Sequence, residues 1–256
     1  MKKIGLLLLC FYTCFAGHGQ FVSPYKLSKP VDQPICLGSS VLLVSSYFGG
    51  TTLKLPSQAS IASLNRNDIN IFDRSATYQH SKVSGTVSDA LLYSSIGLPL
   101  LHLLNKNCRK DYCKIVTIHA EVLVMDLAFT ELLKETVRRK RPLLYDPTVS
   151  MSTKYNKDNF KSFFSGHTST VAAMSFCFAT VFAQYNPNSK AKPAVWALCA
   201  ALPVATGALR YAAGKHYLTD IITGYAVGAL IGVGVPYLHS IKRKYNQRHT
   251  GVPSVF

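Results

Sequence analysis

Three short polar clusters lie between Lys134 and Asp220: Lys134 with Arg141-Pro142, then Ser165-Gly166-His167, then Arg210 with His216 and Asp220. Six residues separate Lys134 from Arg141, five separate Arg210 from His216, and three separate His216 from Asp220. A phosphoryl group in transfer carries its charge on equatorial oxygens, so its catalysis needs fixed cations and N–H donors around it. Lys134, Arg141 and Arg210 supply cations, arginine as a planar fork and lysine as a point charge. Ser165 and Gly166, just ahead of a helix expected from about Thr168, add a hydroxyl and N–H groups at a positive helix end. Pro142, lacking an N–H, is expected to end the preceding helix and so to set where Arg141 points.

His216 and Asp220 are four apart and share a face if a helix begins there. A carboxylate so placed can keep one imidazole nitrogen protonated and aim the other at phosphorus, which makes His216 the nucleophile candidate and Asp220 its orienting partner. A second imidazole is then needed to protonate the leaving oxygen, and His167 is the other histidine in a connector on the same face. His102 and His119, on apolar faces, read as core residues, and His80, His239 and His249 have no partner nearby in sequence.

The three clusters, all present and in order, resemble the signature of the type 2 phosphatidic acid phosphatase superfamily, which includes vanadium haloperoxidases and bacterial class A acid phosphatases. The resemblance spans roughly residues 115–238. It implies that His216 forms a phosphohistidine, supported by Asp220, that His167 is the general acid, and that Lys134, Arg141, Ser165, Gly166 and Arg210 bind phosphate. It also implies that phosphatase activity needs no metal or other cofactor. One departure is Phe164, where the family usually has proline.

The elements that must hold these residues are apolar. Hydrophobic residues make up 48% of the 256-residue chain, charged residues 16%, and mean hydropathy is +0.15, more apolar than a soluble domain needs. Five segments, 90–104, 115–133, 168–185, 194–209 and 221–238, approach the ~17 to 25 residues of a membrane span. An all-α, membrane-embedded bundle of five or six apolar helices follows. Residues 1–20, with Lys2 and Lys3 ahead of an apolar run and small residues at Ala16 and Gly17, read as a secretory signal. Residues 21–89 read as an N-terminal lead-in: extended to Cys36, then a short apolar stretch at 37–53 that reads as a helix at the interface or in the bundle rather than a full span, then an amphipathic helix and loop. Residues 90–240 form the phosphatase core, and 241–256 a basic tail.

Basic residues in the connectors after the first, third and fifth segments (Lys106, Arg109, Lys110, Lys114; Lys190, Lys192; Lys242, Arg243, Lys244, Arg248) place those connectors in the cytoplasm. All three clusters then face the opposite side, the periplasmic face of a bacterial inner membrane. Cys108 and Cys113 become cytoplasmic thiols, and an odd count of five cysteines after the signal argues against a disulfide framework. The charge of +16 suits a phosphorylated lipid and an anionic membrane, and no nucleic-acid-binding signature accompanies it. Gly224, Gly228 and Gly232 form a ridge for close helix packing, and Glu121 and Asp126 read as bundle-facing carboxyls. The expected activity is hydrolysis of a lipid phosphate or pyrophosphate on an isoprenoid, glycerolipid or lipid A. The competing readings are a soluble periplasmic acid phosphatase, a vanadate-dependent haloperoxidase and a non-catalytic binder of anionic lipid.

Overall fold

The computed structural model describes residues 23–51 and 53–241, and the expected signal at 1–20 and most of the basic tail fall outside them. Six long helices carry the fold: α1 (Lys29–Thr51), α2 (Lys82–Ile96), α3 (Tyr112–Val137), α4 (Gly166–Tyr185), α5 (Lys192–Ala212) and α6 (Leu218–His239). Among the described residues there is no strand beyond an isolated bridge between Tyr25 and Ser240. α4 is the hub, packing against α6 most extensively and also against α5, α3 and α2, while α1 lies along α3.

Composition follows this placement. α5 and α6 are long and apolar enough to cross a membrane, and α2 with the 3-10 turn Leu98–Leu104, bent by 45°, forms a third such unit. α4 is rich in Ser, Thr and Ala because its neighbours rather than lipid cover it; Thr168, Ser169, Thr170 and Ser175 are all buried. Leu198, Val204, Ile222, Leu230 and Leu238 are exposed, an outward apolar surface of the kind that lipid covers.

The glycine ridge of α6 explains its close approach to α4. A Cβ at Gly224, Gly228 or Gly232 would lie 2.6, 2.1 or 2.3 Å from the carbonyl oxygens of Ser165, Ser169 and Ala173 respectively. Two apolar clusters flank the polar clusters. One, around Ile115, Ile118, Val122, Met174, Cys177 and Val235, fills the far half of the bundle. The other, around Leu143, Leu144, Tyr145 and Phe160, caps the end where the catalytic candidates gather.

Three local expectations are corrected. The helix over 29–51, packed along α3, replaces the extended stretch to Cys36 and continues through 37–51. Pro30 sits in its first turn, where a missing N–H costs nothing. α1 begins at the end of the bundle far from the clusters, where the Lys26 N–H donates to the His239 carbonyl (2.9 Å). It ends near them, where Arg138 reaches the Gly49 carbonyl (3.1 Å), so it runs the height of the bundle. Residues 65–89 are not one amphipathic helix but short turns followed by the first half of α2. α3 ends at Val137, well before Pro142: Arg138 takes a left-handed conformation (φ 48°) and returns its N–H to the Lys134 carbonyl.

Candidate active site

Specific backbone contacts stitch the three clusters together. The turn between α5 and α6 passes through Gly214 at φ +64°, where a Cβ would fall 2.1 Å from the Gln79 carbonyl oxygen, so only glycine fits. The Gly214 carbonyl accepts the Leu143 N–H (3.0 Å), tying the Arg141-Pro142 segment to the turn that presents His216. The Ser165 N–H donates to the Asp220 carbonyl (3.1 Å), joining the second cluster to the third. A Cβ on Gly166 would lie 3.3 Å from the Lys134 ammonium, so that glycine lets the lysine approach the start of α4.

His216 is buried, and its Nδ1–H donates to the Ser162 carbonyl (2.8 Å), which leaves the lone pair on Nε2. This corrects the expected pairing with Asp220, whose Oδ2 is 3.6 Å from Nδ1, close enough for electrostatic support but not for a hydrogen bond. Asp220 acts through an intermediary. The Ser162 hydroxyl donates to its Oδ2 (2.6 Å), the Tyr217 N–H to the same oxygen (3.0 Å), and Arg139 to its Oδ1 (2.5 Å). Arg139 also pairs with Asp73 (2.8 Å), which accepts from the Thr219 hydroxyl (2.7 Å) and N–H (3.1 Å). An Asp73–Arg139–Asp220 array, with both carboxylates buried, thus fixes the start of α6. Burial, then the charges of Arg141, Arg210, Lys134 and His167, hold the His216 imidazole well below its ordinary proton affinity.

Beside it opens a cavity of about 480 Å³ whose lining includes His167, Arg141, Arg210, Asp89 and Lys215. Its cations are incompletely paired: Nε of Arg141 and Nε of Arg210 are both buried without a hydrogen-bond partner. Lys215 joins them, its proton affinity lowered by burial, Arg141 and Arg210. Lys134 pairs with Glu131 (2.8 Å). His167 Nε2 lies 2.7 Å from Asp89 Oδ1, and that same oxygen is 3.3 Å from Arg210 Nη1. Ser165 departs from expectation, since its hydroxyl caps α4 by accepting the Thr168 N–H (3.4 Å) and bonding the Thr168 hydroxyl (2.9 Å). It shapes the loop, leaving the first N–H groups of α4, those of Gly166 and His167, for an anion.

His216 and the three cations therefore share one electrostatic environment with His167. Ser162, Arg139, Asp73, Lys215 and Asp89 were not singled out for the site from sequence. Among the described residues one group with metal-ligand potential, Asp32, Glu121 and His239, lies at the far end of the bundle. There His239 Nε2 pairs with Glu121 (2.6 Å), the partner that sequence did not reveal for either. Asp126, the other bundle-facing carboxyl of α3, accepts hydrogen bonds from the Ser169 and Thr170 hydroxyls.

Comparison with known proteins adds to this geometry. The chain is similar in fold to a solved structure described as the first transmembrane PAP2 type phosphatidylglycerolphosphate phosphatase from Bacillus subtilis, with a TM-score of 0.50 and 17% identity. The match covers 81% of this chain and 98% of that one. No curated protein matches the chain. The sequence profile described as the PAP2 superfamily matches residues 115–244, which contain all three clusters and the helices that carry them. With half the chain matched and the clusters gathered around one buried imidazole, this protein belongs to the PAP2 superfamily.

Proposed function

We propose that this protein is a metal-independent phosphatase that hydrolyses a lipid phosphate or pyrophosphate through a phosphohistidine on His216. The observation that carries this reading is the buried imidazole of His216, its Nδ1–H held by the Ser162 carbonyl and its Nε2 left to attack, set among Lys134, Arg141 and Arg210 with two guanidinium Nε–H groups buried and unpartnered beside the cavity. Unpaired buried donors are costly, and a phosphate supplies the acceptors they lack.

In the proposed reaction the Nε2 lone pair of His216 attacks phosphorus while the bond to the leaving oxygen breaks. His167 gives that oxygen its proton. Water then attacks the phosphohistidine and passes a proton to His167, the P–N bond breaks, and its electron pair returns to His216. Ser162 keeps the other ring nitrogen protonated throughout. The positive charge that phosphoryl transfer requires comes from Lys134, Arg141 and Arg210, so no step calls for a metal. The outward apolar surface beside a cationic cavity suits a substrate with its tail in lipid and its head in water, whether isoprenoid, glycerolipid or lipid A. It disfavours a soluble periplasmic acid phosphatase.

We place the cavity on the periplasmic side, because Lys26, Lys29, Lys106, Arg109, Lys110, Lys190 and Lys192 gather at the other end. With α1 running the full height of the bundle, Tyr25 then lies on the cytoplasmic side. The test is phosphate release by detergent-purified protein from a panel of lipid phosphates, with and without EDTA and vanadate, and an alkaline quench to capture phosphohistidine. Turnover that survives EDTA, falls with vanadate and yields base-stable phosphoprotein lost in His216→Ala is expected. Turnover restored only by a divalent ion overturns the metal-independent mechanism, and release only from small soluble phosphomonoesters overturns the lipid substrate.

A further inference from the structure

Asp89 stands on α2, outside the region matched by the superfamily profile and outside all three clusters, yet it lines the cavity. Its Oδ1 lies 2.7 Å from His167 Nε2 and 3.3 Å from Arg210 Nη1. The side chain is 50% exposed, so the carboxylate is not locked into a buried array like that of Asp73 and Asp220. Ser88, next to it, accepts a second hydrogen bond from the same Arg210 nitrogen (3.2 Å), which aligns the start of the family's third cluster against α2.

The chemistry creates a need for this carboxylate. A general acid must hold its proton until the leaving oxygen develops charge. Burial and the charges of Arg210 and Lys134 push the His167 imidazole down to about 4, and Asp89 is the group that opposes them. Two carboxylates line the cavity, Asp89 and Asp158, and Asp89 is the one bonded to the ring. An opposite charge within ~4–6 Å favours the protonated form, typically by about one to three pKa units.

We infer that Asp89 is the positioning residue that raises the proton affinity of His167 and orients its ring as the acid. This rests on the phosphatase reading above. The His167 Nε2 atom faces Asp89 while the site is empty, and the negative charge of an entering phosphate ester adds to that of Asp89 in favouring the imidazolium. The leaving oxygen of the ester then competes for the imidazolium proton, and the mobile carboxylate yields. Proton transfer to the oxygen leaves a neutral imidazole, which is the form needed to take a proton from water in the second step. Arg210, bound to the same carboxylate oxygen, is freed at that moment to bind phosphate.

The test compares wild type, Asp89→Asn and Asp89→Glu on an alkyl phosphate and on p-nitrophenyl phosphate, whose leaving group needs little protonation. Asparagine keeps the shape and loses the charge, and the half-exposed position tolerates it. The expected result is a fall in kcat of about tenfold to a hundredfold on the alkyl substrate, a smaller fall on the aryl one, and an alkaline limb of the kcat profile moved to lower pH. Glutamate should restore part of the loss and part of the profile. An equal loss on both substrates with an unmoved profile overturns the inference. So does a lower KM with unchanged kcat, which would make Asp89 only a barrier to anions.

A second readout does not depend on turnover: NMR titration of ring-labelled histidine in micelles, with His167 assigned by substitution. His167 should keep its proton to higher pH in wild type than in Asp89→Asn. If wild type releases no phosphate but this difference is present, the phosphatase reading fails and the Asp89–His167 coupling stands. If the two titrations coincide, the coupling fails whatever the activity.

Discussion

The His216 ring is held by a hydrogen bond to a backbone carbonyl, and its reactivity comes from what surrounds it. A group whose proton affinity is depressed stays unprotonated to lower pH, so the nucleophilic form of His216 is already complete near neutrality. The acid limb of kcat/KM, which reports the free enzyme, should therefore lie below the ordinary histidine value of about 6.5. Arg141→Gln removes one cause of the depression, and the limb should move to higher pH as overall activity falls. An unmoved limb would mean that another group controls it. His216→Ala should leave a folded protein with no measurable turnover, because no second lone pair is placed to attack. Arg139→Ala should act on the fold instead. It leaves Asp73 and Asp220 buried opposite no cation, at a cost of about 3 kcal/mol, measurable as a lower unfolding midpoint in detergent, with Arg139→Lys recovering part. The clusters were legible because their members lie within ten residues of one another. Arg139 sits inside the first cluster and was still passed over, since its partners Asp73 and Asp220 are 66 and 81 positions away. Ser162, 58 positions from Asp220, was hidden by the same separation.

Helices were read well where the pattern was purely apolar and poorly where it was mixed. The segments 168–185, 194–209 and 221–238 coincide with α4, α5 and α6, and the glycine row of α6 was legible from its spacing alone. The first turns of α1 read as extended chain because of Pro30 and Pro34; Pro30 lies in the first turn, where a proline looks the same in sequence as one in a loop, and Pro34 lies inside the helix. α2 was missed in its first turns because its opening half is polar and faces the cavity, where Gly85 and Asp89 are needed. The end of α3 was displaced because a left-handed arginine leaves no mark in composition. The glycine row gives a paired prediction within one helix. Gly228→Ala pushes a methyl toward the Ser169 carbonyl and should destabilise by about 1–3 kcal/mol. Gly234→Ala, where nothing lies within 4 Å, should be neutral or stabilise by up to about 1 kcal/mol. Equal unfolding midpoints for the two would contradict the close packing of α6 on α4.

At the scale of the molecule, helices that run the height of the bundle sort the chain between two faces. Tyr155 lies with the catalytic residues, while Cys113 and Tyr25 lie at the other end. In a background with the remaining thiols replaced, a cysteine at position 155 should react with a membrane-impermeant reagent in intact spheroplasts. Native Cys113 should not, and a cysteine at Ser23 should follow Cys113. A Ser23 cysteine that labels together with position 155 would remove α1 from the membrane, and a fully reversed pattern would turn the site toward the cytoplasm.

Ser240 and Tyr25 are bridged edge to edge, with the Ile241 N–H donating to the Pro24 carbonyl at 2.9 Å. The described chain is therefore almost a ring, and an even number of passes through the bundle is what allows its ends to meet. A short linker from 241 to 23 would close that ring without crossing a membrane. The chain could then be reopened in the exposed turn between α4 and α5, near Lys190, which lies at the same end. Such a circularly permuted protein should keep the cavity, the His216 environment and its phosphate release, because the order in which the helices are synthesised would change while their neighbours would not.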